Sequence, residues 1–146
     1  MNLTDITRYK LTDIAIVERA QRGRVYPEGT VYIQVSATNG QVHQLKQSGT
    51  IENKYAIIIP KEYIYPPYFY IAVSRAVPNF LARYKTTINI QMKEFEMFDI
   101  DIHNDIDTQK DIGNLVEAFD DAIEQEGDFI SMLKEVKKLA SSKMTI

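Results

Sequence analysis

The C-terminal part of this chain carries an apolar repeat that restricts its possible folds more than any other feature. After Thr108 there is no proline, and helix-forming residues follow one another to the end. Counting in sevens places two series of residues, four positions apart, along one helix face. They are Ile112, Phe119, Glu126, Leu133 and Ala140, and Val116, Ile123, Ile130, Lys137 and Met144. This is the a/d heptad pattern of a coiled coil.

A helix with this pattern needs a partner. About 35 residues at a rise of roughly 1.5 Å each give a length of roughly 50 Å, more than one compact domain of this size covers. We therefore predict a homodimer, with folding of the helix back onto its own domain as the alternative. Glu126 and Gly127 interrupt the seam, so we expect a break, a bend or a polar register-setting position there. The predicted dimerisation residues are Ile112, Val116, Phe119, Ile123, Ile130 and Leu133.

The first 107 residues differ from the C-terminal part in composition and hydrophobic pattern. They hold all five prolines and all nine tyrosines, and their apolar residues fall in short runs. Such runs predict strands and loops. We expect one short helix within residues 67–81, before or around Pro78, and strands over residues 31–35, 55–59, 87–92 and 98–102. Residues 11–17 suit a short helix capped by Thr12 or Asp13, or a strand. The predicted fold class is α+β, with a small mixed α/β domain at 1–107 and one long helix at 108–146.

Composition excludes several classes of protein. The chain has 146 residues, 45% of them hydrophobic and 25% charged, as expected for one globular domain. The absence of cysteine excludes disulfide scaffolds and thiol nucleophiles, and it fits a reducing compartment, so we expect a cytoplasmic protein. The longest apolar run, residues 55–60, is far shorter than the roughly 20 residues of a membrane helix, and we expect no membrane partner.

The charge balance limits how the chain could contact nucleic acid. Seventeen Lys and Arg residues stand against 20 Asp and Glu residues, giving a net charge of −3. Any DNA contact must therefore be local, since nucleic-acid binders often carry an overall basic bias. Five basic residues near the N-terminus outnumber the acidic ones around them and indicate a modest basic patch. They are Arg8, Lys10, Arg19, Arg22 and Arg24.

The residues needed for catalysis are sparse. His43 and His103 are isolated in polar surroundings and are expected to be solvated, so no triad, metal site or cofactor site is predicted. Residues 65–68, Tyr-Pro-Pro-Tyr, differ from the motif of DNA amino-methyltransferases, because a phenol cannot accept the hydrogens of the target amine. We interpret them as a turn that enters a helix. A non-catalytic binding or assembly role is favoured.

Several motifs together carry a family resemblance. Residues 10–19 read Lys-Leu-Thr-Asp-Ile-Ala-Ile-Val-Glu-Arg and precede a basic glycine turn, Arg22-Gly23-Arg24. Residues 54–70 are an apolar strand, a proline-bounded loop and an aromatic stretch. The last helix carries Gln109-Lys110-Asp111-Ile112 and the run Phe-Asp-Asp-Ala-Ile at residues 119–123. This order resembles one half of the DNA-specificity subunit of type I restriction-modification systems, with one target-recognition domain and one spacer helix.

The resemblance implies a half-subunit that pairs with itself or with another half through the helix, in antiparallel fashion, and that binds double-stranded DNA and a methyltransferase subunit. The residues best suited to contact DNA are Arg22, Arg24, Ser36, Asn39, Gln41, Arg83 and Lys85. The alternative is an assembly or modulator protein that occupies the specificity slot of a restriction complex without reading DNA. The short first domain and the negative net charge favour that alternative.

Overall fold

The computed structural model describes residues 1–85 and 88–125, with side chains through residue 119. One compact unit comprises Met1–Gly113, and a second begins at Asn114. In chain order the elements are β1 Ile6–Lys10, α1 Leu11–Ile14, β2 Ala15–Arg19, β3 Val25–Tyr26, β4 Val31–Gln34, β5 Val42–Gln44, β6 Gly49–Thr50, β7 Tyr55–Pro60, α2 Pro66–Tyr84, a 3₁₀ helix Met92–Met97, β8 Asp99–His103 and α3 Ile106–Gln125.

The central element of the first unit is a four-stranded antiparallel sheet in the order β2-β7-β4-β5. Two small antiparallel pairs, β1-β8 and β3-β6, accompany it. One face of the central sheet packs against the apolar side of α2 and forms the principal core, which includes Ile33, Ile58, Phe69 and Phe80. The other face buries Ile57 in a smaller core with Tyr26 and Ile51 from the β3-β6 region.

Most of the predicted elements are confirmed. The runs at 31–35, 55–59 and 98–102 form β4, β7 and β8. The proline-rich stretch does enter a helix, because α2 begins at Pro66, where a missing N–H removes no intrahelical bond. This helix is longer than expected and continues through Pro78, whose side chain is exposed. Residues 11–17 form one helical turn and then β2, and no side chain caps the turn.

The predicted strand at 87–92 is wrong. In its described part, Asn89 makes an isolated bridge and the 3₁₀ helix begins at Met92. The backbone of this segment makes two hydrogen bonds beside β4, from the Ile90 amide to the Val35 carbonyl (2.9 Å) and from the Thr38 amide to the Ile88 carbonyl (2.8 Å). A capping box between Gln91 and Glu94 then starts the 3₁₀ helix and ends the extended conformation.

The start of α3 is fixed to the start of α2 by buried polar contacts. The Gln109 side chain donates to the His103 carbonyl (2.7 Å) and accepts from the Tyr65 amide (3.0 Å). Gly113 leaves room for the neighbouring helix, because an added Cβ would lie 3.0 Å from the Tyr65 ring. The prediction that His103 is solvated is wrong, since only 5% of this residue is exposed.

Tyr68 contacts two polar groups of His103, the backbone amide and the ring Nδ1. The Tyr68 hydroxyl accepts from the His103 amide (2.8 Å) and lies 2.6 Å from Nδ1 of the ring. Because the hydroxyl accepts from the amide, its own proton can be donated to Nδ1. Burial lowers the pKa of His103, which favours the neutral ring that this arrangement requires.

The described part of α3 is helical to Gln125. The remainder of the helix predicted for 108–146, with Glu126, Gly127, Ile130 and Leu133, lies outside the described residues. Within the described part of the chain, no helix is long and apolar enough to cross a membrane.

We expect Tyr68→Phe to lower the free energy of unfolding by about 1–3 kcal/mol, because it leaves the buried His103 amide without an acceptor. Urea denaturation would measure the change. The matched control is Tyr63→Phe, since Tyr63 is 57% exposed and should tolerate the loss of its hydroxyl. Equal unfolding midpoints for the two variants would contradict this account of Tyr68.

Candidate nucleic-acid interface

The antiparallel sheet gathers several polar loops at one of its ends. Strands β2 and β4 finish at this end, and β5 and β7 begin there. The C-terminal part of α2 also reaches it, because a Cβ on Gly40 would lie 3.1 Å from the Leu81 side chain. We call this surface the loop end and define it as residues 19–24, 34–41, 51–54, 81–85 and 88–91.

The loop end is basic although the whole chain is acidic. Its segments contain six basic side chains and a single acidic one, Glu52. The basic residues are Arg19, Arg22, Arg24, Lys54, Arg83 and Lys85. Seven amide side chains accompany them: Gln21, Gln34, Asn39, Gln41, Asn53, Asn89 and Gln91. Guanidinium and amide groups are the side chains that most often contact phosphates and base edges in DNA complexes.

The opposite end of the sheet has no such bias. We define the opposite end as residues 27–30, 45–48 and 61–65, which connect the other strand termini and lead into α2. Its charged residues are balanced: Glu28 and Glu62 stand against Lys46 and Lys61. Of the two ends, only the loop end therefore has an excess of basic side chains.

Arg19 connects two of the polar loops. Its guanidinium donates to the Asn53 carbonyl (2.6 Å) and to the Ser36 hydroxyl (3.3 Å). The amide of Val35 donates to the carbonyl of Lys54 (2.9 Å) and joins the same two segments through the backbone. The Ser36 hydroxyl, a predicted DNA contact, therefore already has a partner, and Arg19 helps to fix the loops that flank it.

The two arginines of the basic glycine turn have different surroundings. Arg24 forms an ion pair with Glu18 (3.0 Å), and its guanidinium lies 5.2 Å from the centre of the Tyr26 ring. Arg22 is exposed and makes no ion pair with any residue that the structure describes. Gly23 has a φ of +82°, a backbone conformation that other residues rarely adopt. A glycine at this position therefore allows the turn to form. Arg22 is thus the more available cation of the two.

The β4-β5 loop is held by its own polar groups and by residues 88–90. The Asn39 side-chain oxygen accepts from the Gln41 amide (3.0 Å), an Asx turn around Gly40, whose φ is +79°. The Ala37 amide donates to the Asn89 side chain (3.0 Å). Asn39 and Gln41 are both exposed, so a fixed backbone presents their amides to solvent.

Arg83 and Lys85 lie in the last turn of α2 and at its C-cap. Cations at a helix C-terminus are favoured by the helix dipole, which accounts for part of their placement. Both side chains are exposed. The structure therefore places all seven predicted DNA-contacting residues at the loop end.

The predicted basic patch near the N-terminus does not form as one surface. On β1, Arg8 pairs with Asp101 (2.9 Å) and Lys10 pairs with Asp99 (2.8 Å), both on the neighbouring strand β8. The hydrogen bond from Arg8 holds the pKa of the Asp101 carboxyl below its usual value. Of the five residues predicted to form the patch, only Arg19, Arg22 and Arg24 lie at the loop end.

Sequence reasoning missed six residues of the loop end: Gln21, Gln34, Asn53, Lys54, Asn89 and Gln91. No motif marked them as DNA contacts, and the pairing of strands distant in sequence brings their segments together. Lys54 also lies 5.5 Å from the centre of the Tyr55 ring, in a cation–π contact. A cluster of basic and amide residues just after or before predicted sheet strands is the signal that could have identified them.

The part of the chain that the structure describes contains no group of three or more His, Cys, Asp or Glu residues that could hold a metal ion. His43 stacks on Tyr32, with ring centres 5.0 Å apart, and Tyr55 packs edge-on against both rings. The two histidines of the sequence thus have aromatic neighbours that account for their positions.

The predicted dimerisation residues divide between the two units. Ile112 packs against the principal core of the first unit. In the second unit Val116 is 37% exposed and Phe119 is 44% exposed, and Leu115 beside them is 65% exposed. The Ile123 side chain, like Ile130 and Leu133, lies outside the described residues.

Three solved structures resemble this fold over most of the chain. The S subunit of a type I restriction-modification system from M. genitalium matches with a TM-score of 0.70 over 86% of this chain. A chain from a structure of complex assembly and conformational transition in the type I R-M system matches with a TM-score of 0.64 over 84%. The HsdS subunit from Thermoanaerobacter tengcongensis matches with a TM-score of 0.61, also over 84%.

This chain has the fold found in type I S subunits. The sequence identities to these three chains are only 12%, 12% and 13%, so the likeness is one of fold. The chain spans 42%, 40% and 39% of their lengths, which is consistent with the half-length organisation indicated by the sequence. No protein-family model matches the sequence. No curated protein matches it either.

Proposed function

We propose that this chain is a non-catalytic DNA-recognition half-subunit of a type I restriction-modification system. The observation that carries the proposal is the loop end, where six basic side chains and seven amides collect on a protein whose net charge is −3. The S-subunit fold supports it. Cytoplasmic location and the absence of a cofactor belong to the same proposal.

The loop end contains the two kinds of contact that sequence-specific binding needs. Arg22 and Lys85 are exposed cations suited to phosphate oxygens, which fix position without reading sequence. Lys54 is less available, because it pairs with Glu52 (3.7 Å). Asn39 and Gln41 carry exposed amides, and an amide can make paired hydrogen bonds to adenine in the major groove. The β4-β5 loop is fixed by internal hydrogen bonds, so little ordering is required when it binds.

The helix α3 starts far from the loop end. Gln109 binds the backbone at Tyr65, just before α2, whereas the loop end lies at the other terminus of this 19-residue helix. A helix of that length extends about 28 Å. The loop end and the start of α3 therefore lie at opposite termini of α2. Pairing of two copies through α3 and docking of methyltransferase subunits on the resulting dimer are part of the proposal.

DNA reading predicts that cations and amides have separable effects. Removing the charges of Arg22 and Arg24 together should weaken binding to every duplex and flatten the salt dependence of affinity, because phosphate contacts release counterions. Asn39→Ala or Gln41→Ala should instead change the preference at one base position, by about 1–3 kcal/mol. Fluorescence anisotropy with a panel of duplexes at two salt concentrations measures both effects.

The controls lie at the opposite end of the sheet, where Lys46 and Gln47 are exposed. Lys46→Gln and Gln47→Ala should leave affinity and preference unchanged. Loss of affinity without any change in base preference for Asn39→Ala and Gln41→Ala would count against base reading by this loop. If the unaltered chain binds no duplex at any salt concentration, the assembly role without DNA reading replaces this proposal.

Pairing through α3 predicts a homodimer in solution. Val116 and Phe119 are large apolar residues that remain 37% and 44% exposed, and burying such a side chain contributes roughly 1.5–3 kcal/mol. Sedimentation of the full chain should give a dimer at micromolar concentration, and Val116→Asp with Phe119→Asp should give a monomer. Glu117→Ala, on the exposed part of the same helix, is the control. A monomer at high micromolar concentration for the unaltered chain would refute self-pairing.

A further inference from the structure

A second basic surface adjoins the loop end. A surface cleft of about 490 Å³ lies between part of α2 and the β1-β8 pair. Along the α2 side it is lined by Arg75, Asn79 and Arg83, and on the strand side by Asp99 and Asp101. Arg83 also belongs to the loop end, whereas Arg75 and Asn79 lie outside it.

The three α2 residues form a regular line. Arg75, Asn79 and Arg83 are four positions apart, so they lie on one helix face at intervals of about 6 Å. All three are exposed. Ala72 and Ala76 also line the cleft and are small, which keeps this side of the helix open between the longer polar side chains. The line ends at Arg83, which is itself a residue of the loop end.

The charges in the cleft do not cancel. The carboxylates of Asp99 and Asp101 are already paired with Lys10 and Arg8 across the β1-β8 ladder. Arg75 and Arg83 have no ion-pair partner among the side chains of residues 1–85 and 88–119. The residues that line the cleft therefore carry a net positive charge, with Arg8, Arg75 and Arg83 against Asp99 and Asp101, in a concave surface that concentrates their field.

The position of Arg75 has no explanation in the folding of α2. Arg83 lies in the last turn, where the helix dipole favours a cation, but Arg75 lies in the middle of the helix, where that effect is absent. Arg75 lines the cleft together with Asp101. The hydrogen bond from Arg8 lowers the pKa of the Asp101 carboxyl, and the charge of Arg75 adds to that effect.

We propose that this cleft holds the sugar-phosphate backbone of the DNA that flanks the bases contacted by the loop end. Arg75 and Arg83 contact phosphates, and the Asn79 amide donates a hydrogen bond between them. Even spacing of polar groups suits the repeating charges of a nucleic-acid strand, and the line continues into the loop end. This inference rests on the proposed function and extends it from the loops to one side of α2.

The test compares Arg75→Gln with Arg75→Lys in the full-length chain. Binding to two duplexes, one with the preferred sequence and one of random sequence, is followed by anisotropy over a range of salt concentrations. Arg75→Gln should weaken binding to both duplexes by the same factor and reduce the salt slope by about one phosphate contact. Arg75→Lys, which keeps the charge, should retain most of the affinity. Lys61→Gln removes one exposed charge at the opposite end and should change nothing.

The outcomes separate this inference from the proposed function. If Arg22→Gln weakens binding while Arg75→Gln behaves like Lys61→Gln, the cleft does not contact DNA and the loop-end proposal stands. If Arg75→Gln changes only the affinity for a methyltransferase subunit, the cleft binds an acidic protein surface and the inference is wrong. If the unaltered chain binds neither duplex, both the proposed function and this inference fail.

Discussion

Burial of β7 on both faces is the constraint on which the rest of the domain depends. Ala56, Ile57 and Ile58 are all fully buried, because the strand lies between β2 and β4 in the sheet and between two cores across it. A continuous apolar strand can satisfy this only in the interior of a sheet that is covered on both sides. Helix α2 covers one face, and the small β3-β6 region covers the other.

This arrangement determines where the polar loops lie. With β2 and β4 antiparallel to the central strand, the loops after them and the turn before β7 meet at one end of the sheet. Arg19 then joins two of these segments through the Asn53 carbonyl and the Ser36 hydroxyl. A rigid frame thus holds a basic, amide-rich surface, and a local positive potential exists on a chain whose net charge is negative.

The parts of the fold that depend on local pattern could be predicted from the sequence. The apolar run of β7 and the proline-started α2 are examples, because each is specified by neighbouring residues. The segment at 87–92 alternates as a strand does, but the capping box at Gln91 starts a 3₁₀ helix there instead. The polar neighbours of His103 in sequence predict a solvated ring, whereas contacts with Tyr68, 35 residues away, and with Gln109 lie in the buried interior.

The candidate site, like the fold, could be predicted only where it depends on local sequence. Exposed residues such as Arg22 and Asn39 could be selected as cations and amides in turns, and the structure brings them to one end of the sheet. The availability of each charge could not be predicted. Arg8 and Lys10 are neutralised by Asp101 and Asp99, which are distant in sequence and reach them only through the β1-β8 ladder. Ion pairs between distant segments are invisible to a reading of local charge.

The central claim is that one end of the sheet contacts DNA and the other does not. Amide hydrogen exchange of the full chain, with and without a saturating duplex, tests this claim segment by segment. The account predicts slower exchange on DNA binding at residues 36–41 and 51–54, and no change at residues 27–30 and 45–48. Protection confined to the opposite end, or equal at both ends, would contradict it.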